Sequence, residues 1–196
     1  MVALVAGPSR RDLIVAAVLD LVCSEGWAAV SMRPVAERAG ITATALYNHF
    51  DGKQALVDAA REAATDELMV RFQEASQGAP AGEGRLWAGL EEVRRFAVEE
   101  PHLYAFIFFS IDTSAATSPP DSSSDDRLID ALENHVDAWM NDAGITREAV
   151  EVASVVAAQA HGLVLLWRQG RFEGAAAFAD FYRKAFRITL AGVGNQ

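Results

Sequence analysis

Ser31–Leu56 reads SMRPVAERAGITATALYNHFDGKQAL. Ser31 is a residue type that caps a helix start, and Pro34 is tolerated in a first turn, where its missing N–H has no partner to lose. Gly40 stops that short helix, because glycine takes the left-handed conformation that a tight turn needs. Thr42 caps a second short helix through Phe50, and Asp51 is placed to cap a long one. Val35, Ala36, Ala39, Ile41, Leu46 and Phe50 make a small shared core. An earlier helix completes it with the stripe Leu13, Ile14, Ala17, Val18, Leu21 and Val22, ending at Gly26. These three helices are a helix-turn-helix unit.

Apolar residues recur at helical spacing along nearly the whole chain, and period-2 runs are rare. The long helix after Asp51 carries Leu56, Ala60, Ala63, Leu68 and Phe72 before GAPAGEG breaks it. Leu86, Leu90, Val93 and Ala97 predict a fifth helix, and Pro101 opens a short apolar sixth. Residues 113–126, with Pro119, Pro120 and a run of Ser, have almost nothing to bury and predict a mobile loop. A seventh helix carries Leu128, Leu132, Val136 and Trp139 and ends at Gly144. Thr146 is placed to cap an eighth running to about Gly170, and a ninth lies between Gly174 and about Gly192. The expected fold is all-α with about nine helices: a helix-turn-helix domain over 1–52 and a helical domain over 53–196.

The net charge of −10 is uneven. Residues 1–53 balance five cations (Arg10, Arg11, Arg33, Arg38, Lys53) against five acids, so the entire excess lies in residues 54–196. Such a chain does not bind nucleic acid by bulk attraction; any contact depends on where those few cations stand. The lone Cys23 sits in an apolar helical stretch and reads as a small buried hydrophobe. No Cys/His cluster suggests a metal, and no cofactor motif occurs. The opening MVALVAGPSRR lacks signal-peptide features, and no uninterrupted run of 18 apolar residues suggests a membrane span. A cytoplasmic protein without a membrane partner is expected.

On the second short helix, Ala43, Thr44, Tyr47 and Asn48 point outward. Small residues, a hydroxyl, a phenol and an amide suit a surface that lies against a major groove. The segment resembles the tetracycline-repressor (TetR) family of bacterial regulators. That family's pattern is AERAGV-S-x-x-x-LYxHF-x-x-K-x-x-L after a capped short helix. Here it is matched by Ala36-Glu37-Arg38-Ala39-Gly40-Ile41-Thr42, by Leu46-Tyr47-Asn48-His49-Phe50, and by Lys53 and Leu56. The resemblance is close over residues 10–58; beyond it, length, helix count and an apolar C-terminal helix pair match. His161-Gly162-Leu163 with Gly170 looks like one subgroup's C-terminal domain.

The resemblance implies a homodimer bound to a double-stranded DNA operator and controlled by a small-molecule effector. It places the Tyr47 hydroxyl on a backbone phosphate, with His49 either doing the same or locking the helix against its neighbours. Lys53, at the start of the long helix, would hold a phosphate together with free backbone N–H groups. Arg33 would reach phosphate or a base edge, Ala43 and Thr44 would face bases, and Asn48 would read adenine or bind phosphate. Thr42 serves as a cap or a base reader. Ala45 departs from the family's frequent Thr or Ser, removing a hydroxyl. Arg38 is read as a solvated or intra-domain charge.

For the body, Phe96, Tyr104, Phe106, Phe109 and Trp139 are expected to wall a cavity for an apolar or aromatic ligand, with His135, Gln159 and His161 as its polar groups. The same aromatics could equally be plain core. From Ala149 to Trp167 only Glu151, Ser154, Gln159 and His161 are polar, so this helix needs cover on both sides. A second subunit would supply that cover through Val155, Leu163, Leu166 and Trp167, with Phe178, Phe181 and Tyr182 from the ninth helix. The alternative is a helix enclosed within one subunit. A helical adaptor using the same motif for protein contacts is a rival. An enzyme is a weaker one, since no catalytic constellation occurs at recognisable spacing.

Overall fold

A computed structural model describes residues 7–109 and 124–194. Among these residues the chain forms nine α-helices and a 3-10 turn: α1 (Arg10–Glu25), the turn Trp27–Ala29, α2 (Met32–Arg38), α3 (Ala43–Tyr47), α4 (Lys53–Gln77), α5 (Glu83–Glu99), α6 (Pro101–Phe109), α7 (Ser124–Ala143), α8 (Ala149–Arg168) and α9 (Ala175–Gly194). The all-α expectation holds. Most of the expected loop at 113–126 lies outside the described residues, and its last part belongs to α7.

Two compact units are present, one from Met1–Asp66 with Glu100–Pro119 and the other from Glu67–Glu99 with Pro120–Gln196. The expected boundary at 52/53 therefore falls inside the first unit. That unit also includes α6, which packs on α1, and the His102 Nδ1–H donates to the Cys23 carbonyl at 2.8 Å. Helix α1 starts with a capping box: Ser9 Oγ accepts from the Asp12 N–H, and the Asp12 carboxylate accepts from the Ser9 N–H. It buries Ile14, Ala17, Val18, Leu21 and Val22. Leu13 and Cys23 fall off that stripe and are exposed, so Cys23 is not the buried hydrophobe its neighbours suggest.

The turn after α2 is built as its sequence requires. Gly40 has φ +66°, the Ile41 N–H donates to the Ala36 carbonyl, and the Gly40 N–H donates to the Glu37 carbonyl. This is a Schellman closure, and it re-aims the chain into α3. No atom comes near a Cβ added at Gly40, so an alanine there meets only backbone strain. Gly40→Ala should cost about 1–2 kcal/mol, read as a lower midpoint in urea unfolding with an unchanged slope.

Three expected caps differ. Ser31 and Glu148 precede α2 and α8 without side-chain cap bonds, so Thr146 does not cap α8. Helix α4 starts after Gly52, at φ +94°, rather than directly after Asp51. Side chains can cap only when the local turn aims them at free N–H groups, and these turns do not.

In the second unit α8 packs on α7, α9 and α5. A row of rings runs along α9: Trp167 stacks on Phe178 (5.2 Å between ring centres), Phe178 meets Tyr182 edge-on, and Tyr182 meets Phe186. The buried Tyr182 hydroxyl donates to the Leu90 carbonyl at 3.1 Å. Glu92, only 3 % exposed, accepts from Arg71 at 2.6 Å and pairs with Arg95 at 2.9 Å. Two guanidinium partners are what allow a carboxylate to sit there.

Helix α8 is long and apolar enough to cross a membrane, with mean hydropathy 1.7 over an 18-residue stretch. Its four scattered polar residues barely lower that average, and a core helix can have the same composition. One third of that stretch is buried by its own chain.

Candidate nucleic-acid interface

Helices α2 and α3 share one small core. Val35, Ala36, Leu46 and Phe50 are at most 3 % exposed. With that face anchored, the helical repeat turns the opposite face of α3 outward. All eight residues expected at DNA are exposed: Arg33, Thr42, Ala43, Thr44, Tyr47, Asn48, His49 and Lys53. Tyr47 is 55 % exposed, unusual for so large a ring.

Each has a local setting. Thr42 Oγ1 accepts from the Ala45 N–H at 3.1 Å, so its hydroxyl is engaged as a cap. Arg33 Nε donates to Glu37 at 2.9 Å across one helical turn, and the pair is so exposed that a phosphate can displace the carboxylate. Lys53 stands at the first residue of α4, where unpaired N–H groups and the positive end of the helix dipole favour an anion. Arg38 is held within the domain by Asp20 at 3.1 Å and by Ser24 Oγ at 2.8 Å, the intra-domain role read for it.

His49 is corrected in part. Its side chain is exposed, so it does not lock α3 against its neighbours. Its carbonyl takes part instead, accepting from Arg11 at 3.3 Å, while the Arg11 guanidinium lies 4.4 Å above the Phe50 ring. Arg11 thus ties α1 to the segment that follows α3. Sequence inspection misses this because the partners are 38 residues apart.

Residues 14–60 match the family described as bacterial regulatory proteins of the tetR family. Residues 86–191, more than half the chain, match a tetracyclin repressor-like C-terminal domain. The chain belongs to the TetR family. Among solved structures, a protein of unknown function from Rhodococcus sp. RHA1 superimposes with a TM-score of 0.79 at 22 % identity, over 99 % of this chain and 100 % of that one. A Rhodococcus transcriptional regulator gives 0.72 at 23 % identity, covering 94 % and 97 %. A TetR-family transcriptional regulator from Streptomyces coelicolor gives 0.65 at 21 % identity, covering 94 % and 99 %. The nucleoid occlusion factor SlmA of Marinobacter nauticus is 37 % identical over 71 residues, which cover 34 % of this chain and 36 % of that protein. The chain has the fold of a TetR-family transcriptional regulator, and regulators of this family bind DNA.

The residues expected to wall one cavity fall in both units. Tyr104, Phe106 and Phe109 belong to the first unit, whereas Phe96, His135, Trp139, Gln159 and His161 belong to the second. Phe96, Tyr104 and Phe106 are fully buried and Trp139 nearly so, as close-packed core. The Arg71 guanidinium covers Phe96 at 5.1 Å. Gln159 Oε1 accepts from the Thr189 hydroxyl at 2.7 Å. Burial pushes the half-buried His161 imidazole pKa down. His135 lines an open pocket, beside Phe72, Ser76 and Arg85.

The expected subunit face also divides. Leu163, Phe178 and Tyr182 are buried within their own subunit, and Trp167 is half-buried against Phe178. Val155, Leu166 and Phe181 are exposed, and Leu165 and Ile188 join them, Ile188 at 75 %. The buried rings brace α9 from behind the face that its exposed apolar residues present.

Proposed function

We propose that this chain is a ligand-responsive transcriptional repressor, acting in the cytoplasm as a homodimer on a near-palindromic operator and released by a small effector with an apolar or aromatic body. The observation that carries the DNA-binding part is the α3 surface. Tyr47, Asn48, Thr44 and Ala43 are exposed together while Leu46 and Phe50 are buried behind them.

Exposed Arg33 and Lys53 supply the charge that a phosphate backbone needs in a region with no net positive charge. In a dimer, the two α3 helices would enter successive major grooves about 34–36 Å apart. Apolar exposure on α8 and α9 supports the homodimer, because the two helices together expose Val155, Leu165, Leu166, Phe181 and Ile188, and apolar surface grouped in this way marks an interaction face. Helix α4 carries Lys53 at its start and Phe72 and Ser76 in its last turns. One continuous helix therefore offers a link between ligand and operator, and their coupling must be reciprocal.

Genomic footprinting of the sites occupied in the cell, followed by a gel-shift on them, tests the proposal. A duplex-specific complex that weakens steeply with salt is expected. Binding to no duplex, with capture of a protein partner through α3, would favour the adaptor.

A further inference from the structure

The last turns of α4, the start of α5 and the middle of α7 enclose an open pocket of about 250 Å³. Phe72, Gln73, Ser76, Arg85, Asn134 and His135 line it. Phe72 is held in place from two sides. Its ring packs so closely on Gly89 that an added Cβ would come within 2.5 Å of it, and it stacks on the His135 ring at 5.2 Å with 12° between planes.

Two residues that line this pocket each carry a buried polar atom without a hydrogen-bond partner: Ser76 Oγ, on a residue 2 % exposed, and His135 Nε2. Buried polar groups are mostly satisfied, so two orphans on residues that line one pocket leave hydrogen-bonding capacity there that a bound group can complete. Arg85 has no carboxylate partner among the described residues. Burial first, and then the Arg85 charge, hold the His135 pKa below its usual value.

We propose that this pocket binds a small organic carboxylate carrying a hydroxyl group, with Arg85 pairing its carboxylate and Ser76 Oγ and His135 Nε2 completing its hydrogen bonds. The charge balance selects the class. Arg85 is the only cation among the lining residues, and the other polar side chains, Gln73, Gln77 and Asn134, are neutral amides. One guanidinium balances a monoanion; a phosphate dianion would remain under-compensated. The Phe72 ring and Ala131 supply apolar contact, which an inorganic ion cannot use. That this ligand is the effector rests on the repressor proposal above; its binding does not.

The test is calorimetric titration of the full-length protein with 3-hydroxybenzoate and 3-hydroxybutyrate, with their uncharged amides, and with inorganic phosphate. At least one carboxylate should bind about tenfold or more tightly than its amide, since the charge-assisted pair is lost in the amide. Arg85→Gln, at an exposed position, should erase that preference. Ser76→Ala should weaken binding several-fold without lowering the Tm of the unliganded protein, because it removes an orphan rather than a bond. A hydroxyl with a purely structural role would instead lower the Tm. Failure of both carboxylates to bind, equal binding of acid and amide, preference for phosphate, or indifference to Arg85→Gln would each overturn the proposal. Operator affinity is measured on the same samples. Carboxylate binding without operator binding removes the repressor role and leaves the site; the reverse result removes the site alone.

Discussion

A Leu166→Asp, Ile188→Asp double variant is expected to sediment as a monomer and to lose tight operator binding. Both residues lie on the exposed apolar side of the α8–α9 pair, 39 % and 75 % accessible, so aspartate there meets no crowding within the subunit. The isolated subunit should keep its helical circular dichroism and most of its Tm. In a two-fold dimer each carboxylate occurs twice, and burying an unpaired charge at an interface costs several kcal/mol. With a factor of ten for each 1.4 kcal/mol, the dimer Kd should rise by about 10³-fold or more. Operator affinity falls with it, because a monomer offers one α3 helix where the dimer offers two. Analytical ultracentrifugation across a concentration series, paired with fluorescence anisotropy on a footprinted site, reads both quantities. A variant that stays dimeric would mean that subunits meet through some other face.

The second large effect is expected from Lys53→Ala, with Tyr47→Phe as its neutral counterpart. Lys53 carries charge at the start of α4, and each phosphate neutralised contributes about 0.9 to the slope of log K against log salt. Two copies per dimer make the expected loss of slope about 1.8, and at moderate salt an affinity loss of about tenfold to a hundredfold follows. Tyr47→Phe removes only a neutral hydrogen bond, worth about 0.5–1.5 kcal/mol per subunit. Affinity should therefore fall about fivefold or more while the salt slope stays put. The contrast is diagnostic: one variant changes slope and affinity, the other affinity alone. Equal slopes for wild type and Lys53→Ala would remove Lys53 from the phosphate backbone.

The two sites differ in how much of each can be read from the chain. The outward residues of α3 are legible because Val35, Leu46 and Phe50 fix the inward face, and the helical repeat then assigns the rest. Their sequence spacing is short and their packing is local. The body offers no such anchor. On α9, Phe178 and Tyr182 are buried whereas Phe181 is 47 % exposed, although all three are aromatic and lie within five positions. Composition cannot separate them; the direction from which α8 and α5 approach does.

What the amino-acid order determined unaided is the all-helical character, the Gly40 turn, the family and the exposed surface of α3. Each follows from periodicity, from a glycine at positive φ, or from a motif only a few turns long. Tertiary structure alone decided which aromatics became core and which became exposed face. It also set Arg11 on the His49 carbonyl, buried Glu92 against Arg71, and gathered Ser76, Arg85 and His135 around one pocket. The physical reason is range: backbone preferences act within about a turn of helix, whereas these contacts join residues far apart in the chain, and they exist only after helices pack at particular angles and registers.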